Sequence, residues 1–162
     1  ETDADFINPP VPKKSFYPII LGGIDSEIAQ AIWDNKPAGI LSYGSTTVAV
    51  NDSQGLPHNI SFDRPTALPV YISMTIVKDN TFPSDGVTLI EDALLTHIST
   101  LAIGEDVLYS RLYTPINGAT GGFYITSLTI GTSPAPSGTS NIVVPFNNIA
   151  NLSRSNIVIS FV

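Results

Sequence analysis

Two apolar periods follow one another in the middle of the chain, and together they exclude both an all-helical and an all-strand fold. Val70, Ile72, Met74 and Ile76 alternate with Tyr71, Ser73, Thr75 and Val77, which is the period of a strand. Ten residues later Val87, Ile90, Leu94, Ile98 and Leu101 recur every three or four positions, which paints one apolar stripe along a helix. Ser84 or Asp85 supplies a cap, and Gly104 lies beyond the end. A strand and a long amphipathic helix joined by a turn at 80–85 must be layered against each other.

The rest of the chain repeats this mixture. Residues 16–21 (FYPIIL) read as a strand stopped by Gly22-Gly23. A helix follows, with Asp25 as N-cap, Ile28, Ala31 and Ile32 on one face, Lys36 near its end, and Pro37 and Gly39 closing it. Residues 45–50 and 58–62 read as a hairpin around the turn-rich stretch 51–57. A shorter helix is expected from Ser110, with Leu112 and Ile116 inward, ending by Gly118. Strands are expected at 123–130, 141–146 and 156–162, with a loop at 131–140. The fold class is α+β, in two small subdomains, each a mainly antiparallel sheet with one or two helices on one face. Residues 1–14 read as an extended linker, or as an acidic docking arm. The first subdomain spans 15–69 and the second 70–162, with the proline-bearing segment 63–69 at the boundary. The chain opens on Glu1 and reads as a piece of a longer polypeptide or a processed chain.

Charge narrows the function classes. The 162 residues carry 14 acids against 7 lysines and arginines, a net charge of −7. That balance opposes nucleic-acid backbones and anionic membranes, which call for a basic patch. No apolar run approaches the roughly 20 residues of a membrane-spanning helix. Without cysteine, thiol catalysis, cysteine-held zinc and disulfide scaffolds are excluded. From Val107 to Val162 the only charged residues are Arg111 and Arg154. Such a surface suits burial against another subunit, although serine, threonine and asparagine also suffice to keep a compact unit solvated.

Chemistry-bearing constellations are sparse. His58 and His97 stand apart, with no HExxH or HxH spacing. GxSxG is absent, and the glycines at 118–122 and 131–138 match neither a dinucleotide fingerprint nor a phosphate loop. Glu91-Asp92 and Glu105-Asp106 are neighbours on the chain and point apart on a helix, so neither is a natural acid–base couple. Glu105 and Asp106 are expected to support the turn into the short helix. Arg64, between Asp63 and Pro65, and Arg111 are each expected to clamp backbone or a carboxylate. Trp33 reads as a core-edge residue or an exposed anchor. No catalytic residue, cofactor or metal is expected.

Several segments, taken in order, resemble the baseplate J-like proteins of contractile phage tails. These are Gly22-Gly23-Ile24-Asp25-Ser26-Glu27-Ile28-Ala29-Gln30-Ala31-Ile32 with Lys36-Pro37-Ala38-Gly39, then Phe62-Asp63-Arg64-Pro65 before the strand at 69–72. The strongest match is Ile103-Gly104-Glu105-Asp106-Val107-Leu108-Tyr109-Ser110-Arg111-Leu112, and Ser155-Asn156-Ile157-Val158 is similar to a closing strand of that family. The resemblance covers about residues 15–162. Ile24 stands where the family commonly has an acid, and 119–122 departs from its usual turn. The resemblance implies a non-enzymatic wedge component, the C-terminal part of a longer protein, located in the tail baseplate of a virion and assembled in the host cytoplasm. Its partners would be other wedge proteins and neighbouring copies in a ring, and Gly22, Gly23, Asp25, Arg64, Pro65, Gly104, Glu105, Asp106, Ser110 and Arg111 would be structural. The alternative reading is a carbohydrate-binding or adhesive module using Tyr43, Tyr71, Tyr109, Tyr113 and Tyr124 as stacking faces.

Overall fold

A computed structural model describes residues 11–162, so the expected linker lies largely outside the described residues. The chain divides into two compact units, up to Pro65 and from Thr66. Each combines helices with small sheets, an α+β architecture.

In the first unit, β1 (Ser15–Phe16) pairs in parallel with β2 (Leu41–Ser42). The strand expected over 16–21 is this short because Pro18 lacks an amide hydrogen, and only one further bridge forms, between Ile19 and Asp63. The hairpin is present as β3 (Thr46–Asn51) and β4 (Pro57–Phe62), antiparallel. The intervening turn is tied by Asp52, whose Oδ1 accepts from the Gln54 and Leu56 amides at 2.8 and 2.9 Å. The helix α1 (Asp25–Asn35) starts after Ile24, so Asp25 is its first helical residue rather than its cap. It covers the hairpin through a different face from the one expected. Ala29 is buried, together with Val50 and Ile60, and Ile32, Trp33 and Val48 pack around them. Ala31 is exposed and Ile28 half-buried.

The second unit is built on a three-stranded sheet in the order β6-β5-β7, formed by β5 (Thr66–Lys78), β6 (Phe123–Gly131) and β7 (Asn148–Phe161). It is mixed: β6 runs antiparallel to β5, and β7 parallel. Between β5 and β6 lie α2 (Gly86–Ser99), a 3₁₀ turn (Tyr109–Leu112) and α3 (Tyr113–Ala119). The stripe on α2 behaves as its period demands, with Ile90, Leu94 and Ile98 buried. They close one core with Val70, Ile72, Met74 and Ile76 of β5, Leu112 and Ile116, and Leu128 and Ile130 of β6.

Three strand boundaries differ from expectation. β5 begins at Thr66 and runs through Pro69, which lies where β5 pairs with β7 alone, since β6 joins only at Tyr71. A proline is tolerated where one side of a strand has no partner. Residues 141–146 form no strand; only Ile142 bridges, to Val107. β7 starts at Asn148 rather than Asn156, with a register shift that lets residues 153–156 bulge away from β5.

Candidate functional site

The motif residues of the first unit converge on one guanidinium. Gly22 and Gly23 take φ of +70° and +78°, a conformation that residues with a Cβ disfavour, and it turns their carbonyls toward Arg64. Arg64 Nη1 donates to the Ile20 carbonyl at 3.1 Å and to that of Gly22, and Nη2 to the Gly23 carbonyl at 2.9 Å. Nη2 also meets Asp25 Oδ1 at 2.5 Å. The planar fork thus joins three carbonyls of the chain entering α1 to its first carboxylate, which a lysine could not match. Pro65 follows and ends the unit.

Asp63 is the second fastener of this hub. Its Oδ1 accepts from the Ser45 amide and hydroxyl, both at 2.5 Å, and its Oδ2 from the Tyr17 hydroxyl. Its own amide donates to Pro18 O and its carbonyl accepts from Ile20 N–H. Burial alone would raise the Asp63 carboxyl, but the hydrogen bonds from Ser45 and Tyr17 hold it below the usual range. The Tyr17 phenol is pushed up to about 12 by burial and by the Asp63 carboxylate. Sequence reasoning missed Ser45, Tyr17 and Gly44. A Cβ on Gly44 would sit 2.3 Å from the Phe62 backbone, a close approach with no local signature.

In the second unit, Gly104, Glu105 and Asp106 fasten loops rather than the short helix. Gly104 (φ +73°) donates its amide to Asn148 O at 2.8 Å, and a Cβ there would lie 3.1 Å from Phe146 Cα. Glu105 Oε2 accepts from the Ala102 amide at 2.8 Å, closing the turn after α2. Asp106 Oδ1 accepts from the Val144 amide at 2.8 Å, holding the segment before β7. Neither carboxylate caps the short helix: Glu105 holds the turn that precedes it, and Asp106 bonds instead to the distant Val144 amide. Ser110 and Arg111 are exposed, and the Arg111 side chain makes no hydrogen bond or ion pair with any described residue, so among these it clamps nothing. Glu91 and Asp92 do act together: both carboxylates pair with Arg154 from the β7 bulge.

The histidines serve separate places. His58 Nε2 lies 3.0 Å from Asp52 Oδ2, and its ring stacks on Trp33 with centroids 4.3 Å apart. Trp33 is thereby a core-edge residue, with Lys36 Nζ 4.9 Å from its centroid. His97 lines an open hollow of about 430 Å³ with Arg111, Thr114 and Pro115. An apolar groove of about 460 Å³ lies in the first unit between Phe16, Ile20 and the Ile28–Ala31 face of α1. Among the described residues no group of three His, Asp or Glu could hold a metal ion. Among them no helix is long and apolar enough to cross a membrane. No family model matches the chain, and no curated protein matches it.

Proposed function

We propose that this chain is a structural assembly protein of a contractile-tail baseplate, a wedge component acting through subunit–subunit contacts in the virion. One observation carries the reading. In the baseplate-like motifs the side chains of Arg64, Glu105 and Asp106 bond to backbone, Gly22 and Gly23 supply carbonyls to Arg64, Asp25 pairs with Arg64, and Gly104 donates its amide to Asn148 O. They set the path of the chain, and among the described residues these motifs gather no acid, base and nucleophile at one point. Such residues suit a protein whose task is to hold a shape against neighbours.

A carbohydrate-binding module would present exposed, coplanar rings. Three of the five candidate tyrosines are arranged otherwise: Tyr109 and Tyr113 meet edge to face at 87°, and Tyr43 meets Tyr17 at 77°, while Tyr124 stands exposed. Affinity capture of the full-length parent from assembling particles tests the proposal. Co-purification with other tail proteins at fixed stoichiometry is expected. A parent that never enters particles, or that binds a glycan array instead, overturns it.

A further inference from the structure

The two outer edges of the sheet in the second unit are built differently. The β6 edge is interrupted by a bulge opposite Thr75–Ile76 and closed near its end by Gly138, whose carbonyl accepts from Ile130 N–H at 2.8 Å. Bulges and covering loops are the usual devices that keep a sheet edge from recruiting another chain. The first part of β7 is managed too. Gly104 covers Asn148, and residues 153–156 bulge away.

Beyond that bulge the devices stop. Ile157–Phe161 runs in unbroken register with Ile72–Ile76 and contains neither lysine nor proline. Val162 donates its amide to Ile76 O. By strand alternation the polar backbone groups of Val158 and Ser160 also face β5, and those of Ile157, Ile159 and Phe161 face away. No described residue bonds to that outward row. Val158 (52% exposed), Phe161 (47%) and Val162 (85%) flank it.

We propose that this edge pairs with the same edge of a second copy, antiparallel, about a two-fold axis through Ile159. A row of alternating amides and carbonyls is complemented by another strand. Here the strand complements itself: Ile157 falls opposite Phe161 of the second copy and Ile159 opposite its own equivalent. All three outward-facing positions then exchange hydrogen bonds, about six in total. An isologous contact of this kind closes on itself. Residues 155–162 carry no charged side chain, and Lys78 Nζ lies 4.6 Å from the Phe161 ring centroid, so two chains of net charge −7 meet along a strip without acidic side chains. Five residues span only about 17 Å, and the pair buries well under the roughly 1,200 Å² of a stable complex. Pairing is therefore weak in free solution and becomes strong where an assembly holds copies side by side. The inference rests on the assembly reading for that setting, but the pairing itself does not depend on it.

Sedimentation equilibrium of the whole chain, with hydrogen exchange at low and high concentration, tests the pairing. A monomer–dimer equilibrium with a dissociation constant between about 10 μM and 1 mM is expected. The amides of Ile157, Ile159 and Phe161 should gain protection as concentration rises, while those of Val158 and Ser160 stay as they are. Phe161→Pro removes an outward amide and spares the β5 ladder, and Val158→Lys places a charge beside the strip. Each should weaken dimerisation about tenfold or more. A chain that stays monomeric to about 1 mM, a dimer indifferent to Val158→Lys, or protection gained at Ile28–Lys36 instead overturns the proposal. A dimer that forms as described from a parent that never enters particles would sink the baseplate reading and leave the pairing standing.

Discussion

The two units reach stability by different means. The second has a continuous apolar core to which β5, α2, α3 and β6 all contribute buried side chains. Among the described residues the first has Ala29, Val50 and Ile60 in its core cluster, with Phe62 also buried. In place of a large core it has polar fasteners: Arg64 on three carbonyls and Asp25, Asp63 on Ser45 and Tyr17, and Asp52 on its own turn and His58. A unit of about 60 residues is marginal on apolar burial alone, so such ties weigh more in it. The same kinds of substitution should therefore act differently in the two units.

The largest effect belongs to the apolar core. Leu94 is fully buried on α2, so Leu94→Ala leaves a cavity and should cost about 2–5 kcal/mol. Denaturant unfolding measures the loss, and native-state hydrogen exchange should place it in residues 66–162. A loss below about 1 kcal/mol would mean that the core relaxes around the gap, and the contrast between the units would weaken.

Next comes the guanidinium hub. Arg64→Ala leaves the Ile20, Gly22 and Gly23 carbonyls and the Asp25 carboxylate without their donor. The side chain is about one-third exposed, 34%, so water compensates in part. A cost of about 1–3 kcal/mol is expected, confined to the first unit. Arg64→Lys should recover little, because an ammonium cannot reproduce the fork. Full recovery by lysine would show that charge alone holds the entry to α1.

How much of this was legible in the sequence follows from the same contrast. On α2 the longest stripe is the one through Ile90, Leu94 and Ile98, and its period identifies them although Leu89 and Leu95 lie off that face. On α1, Ile28, Ala31 and Ile32 make a plausible stripe, but Ala29, Ile32 and Trp33 make another. The hairpin packs on the second, where the small Ala29 lets the helix approach closely. The glycine and arginine motifs pointed to a structural hub, yet its partners Ser45 and Tyr17 came from 18 and 46 residues away, which no local pattern encodes. β7 was misread because Asn151, Ser153, Arg154, Ser155 and Asn156 mask an alternation in which Ala150 and Leu152 are already buried.

Acidity sharpens the comparison. In the first unit the Asp63 carboxyl is held below its ordinary value, against the effect of its burial, by Ser45 and Tyr17. The Asp52 carboxyl is likewise lowered, chiefly by its hydrogen bond with His58. A carboxyl depressed in the folded state contributes stability above its unfolded value, about 3.9, and loses it as pH falls through the folded value. At the other end, Tyr17 is raised to about 12, so its contribution is present below its ordinary value of 10.0 and is lost as pH rises through about 12. The first unit should therefore loosen below about pH 4. Asp63→Asn should flatten that acid limb in exchange rates of residues 15–62. An unchanged acid limb would place its origin elsewhere in the first unit, with Asp52, lowered chiefly by its hydrogen bond with His58, as the next group to substitute.

The smallest effect is expected at Arg111, and it separates resemblance from physics. Arg64 and Arg111 both sit in baseplate-like motifs, and a clamp was the natural expectation for each. Arg64 has four partners; the Arg111 side chain lies exposed at the rim of the hollow beside His97 and Thr114. The nearby acids do not reach it, because Glu105 and Asp106 are held by the Ala102 and Val144 amides. Arg111→Ala should therefore change stability by less than about 0.5 kcal/mol, as exposed substitutions usually do. Thermal unfolding of Arg111→Ala beside Arg64→Ala measures the difference directly. Equal losses would mean that Arg111 has a carboxylate or carbonyl partner in solution and clamps the second unit as Arg64 clamps the first.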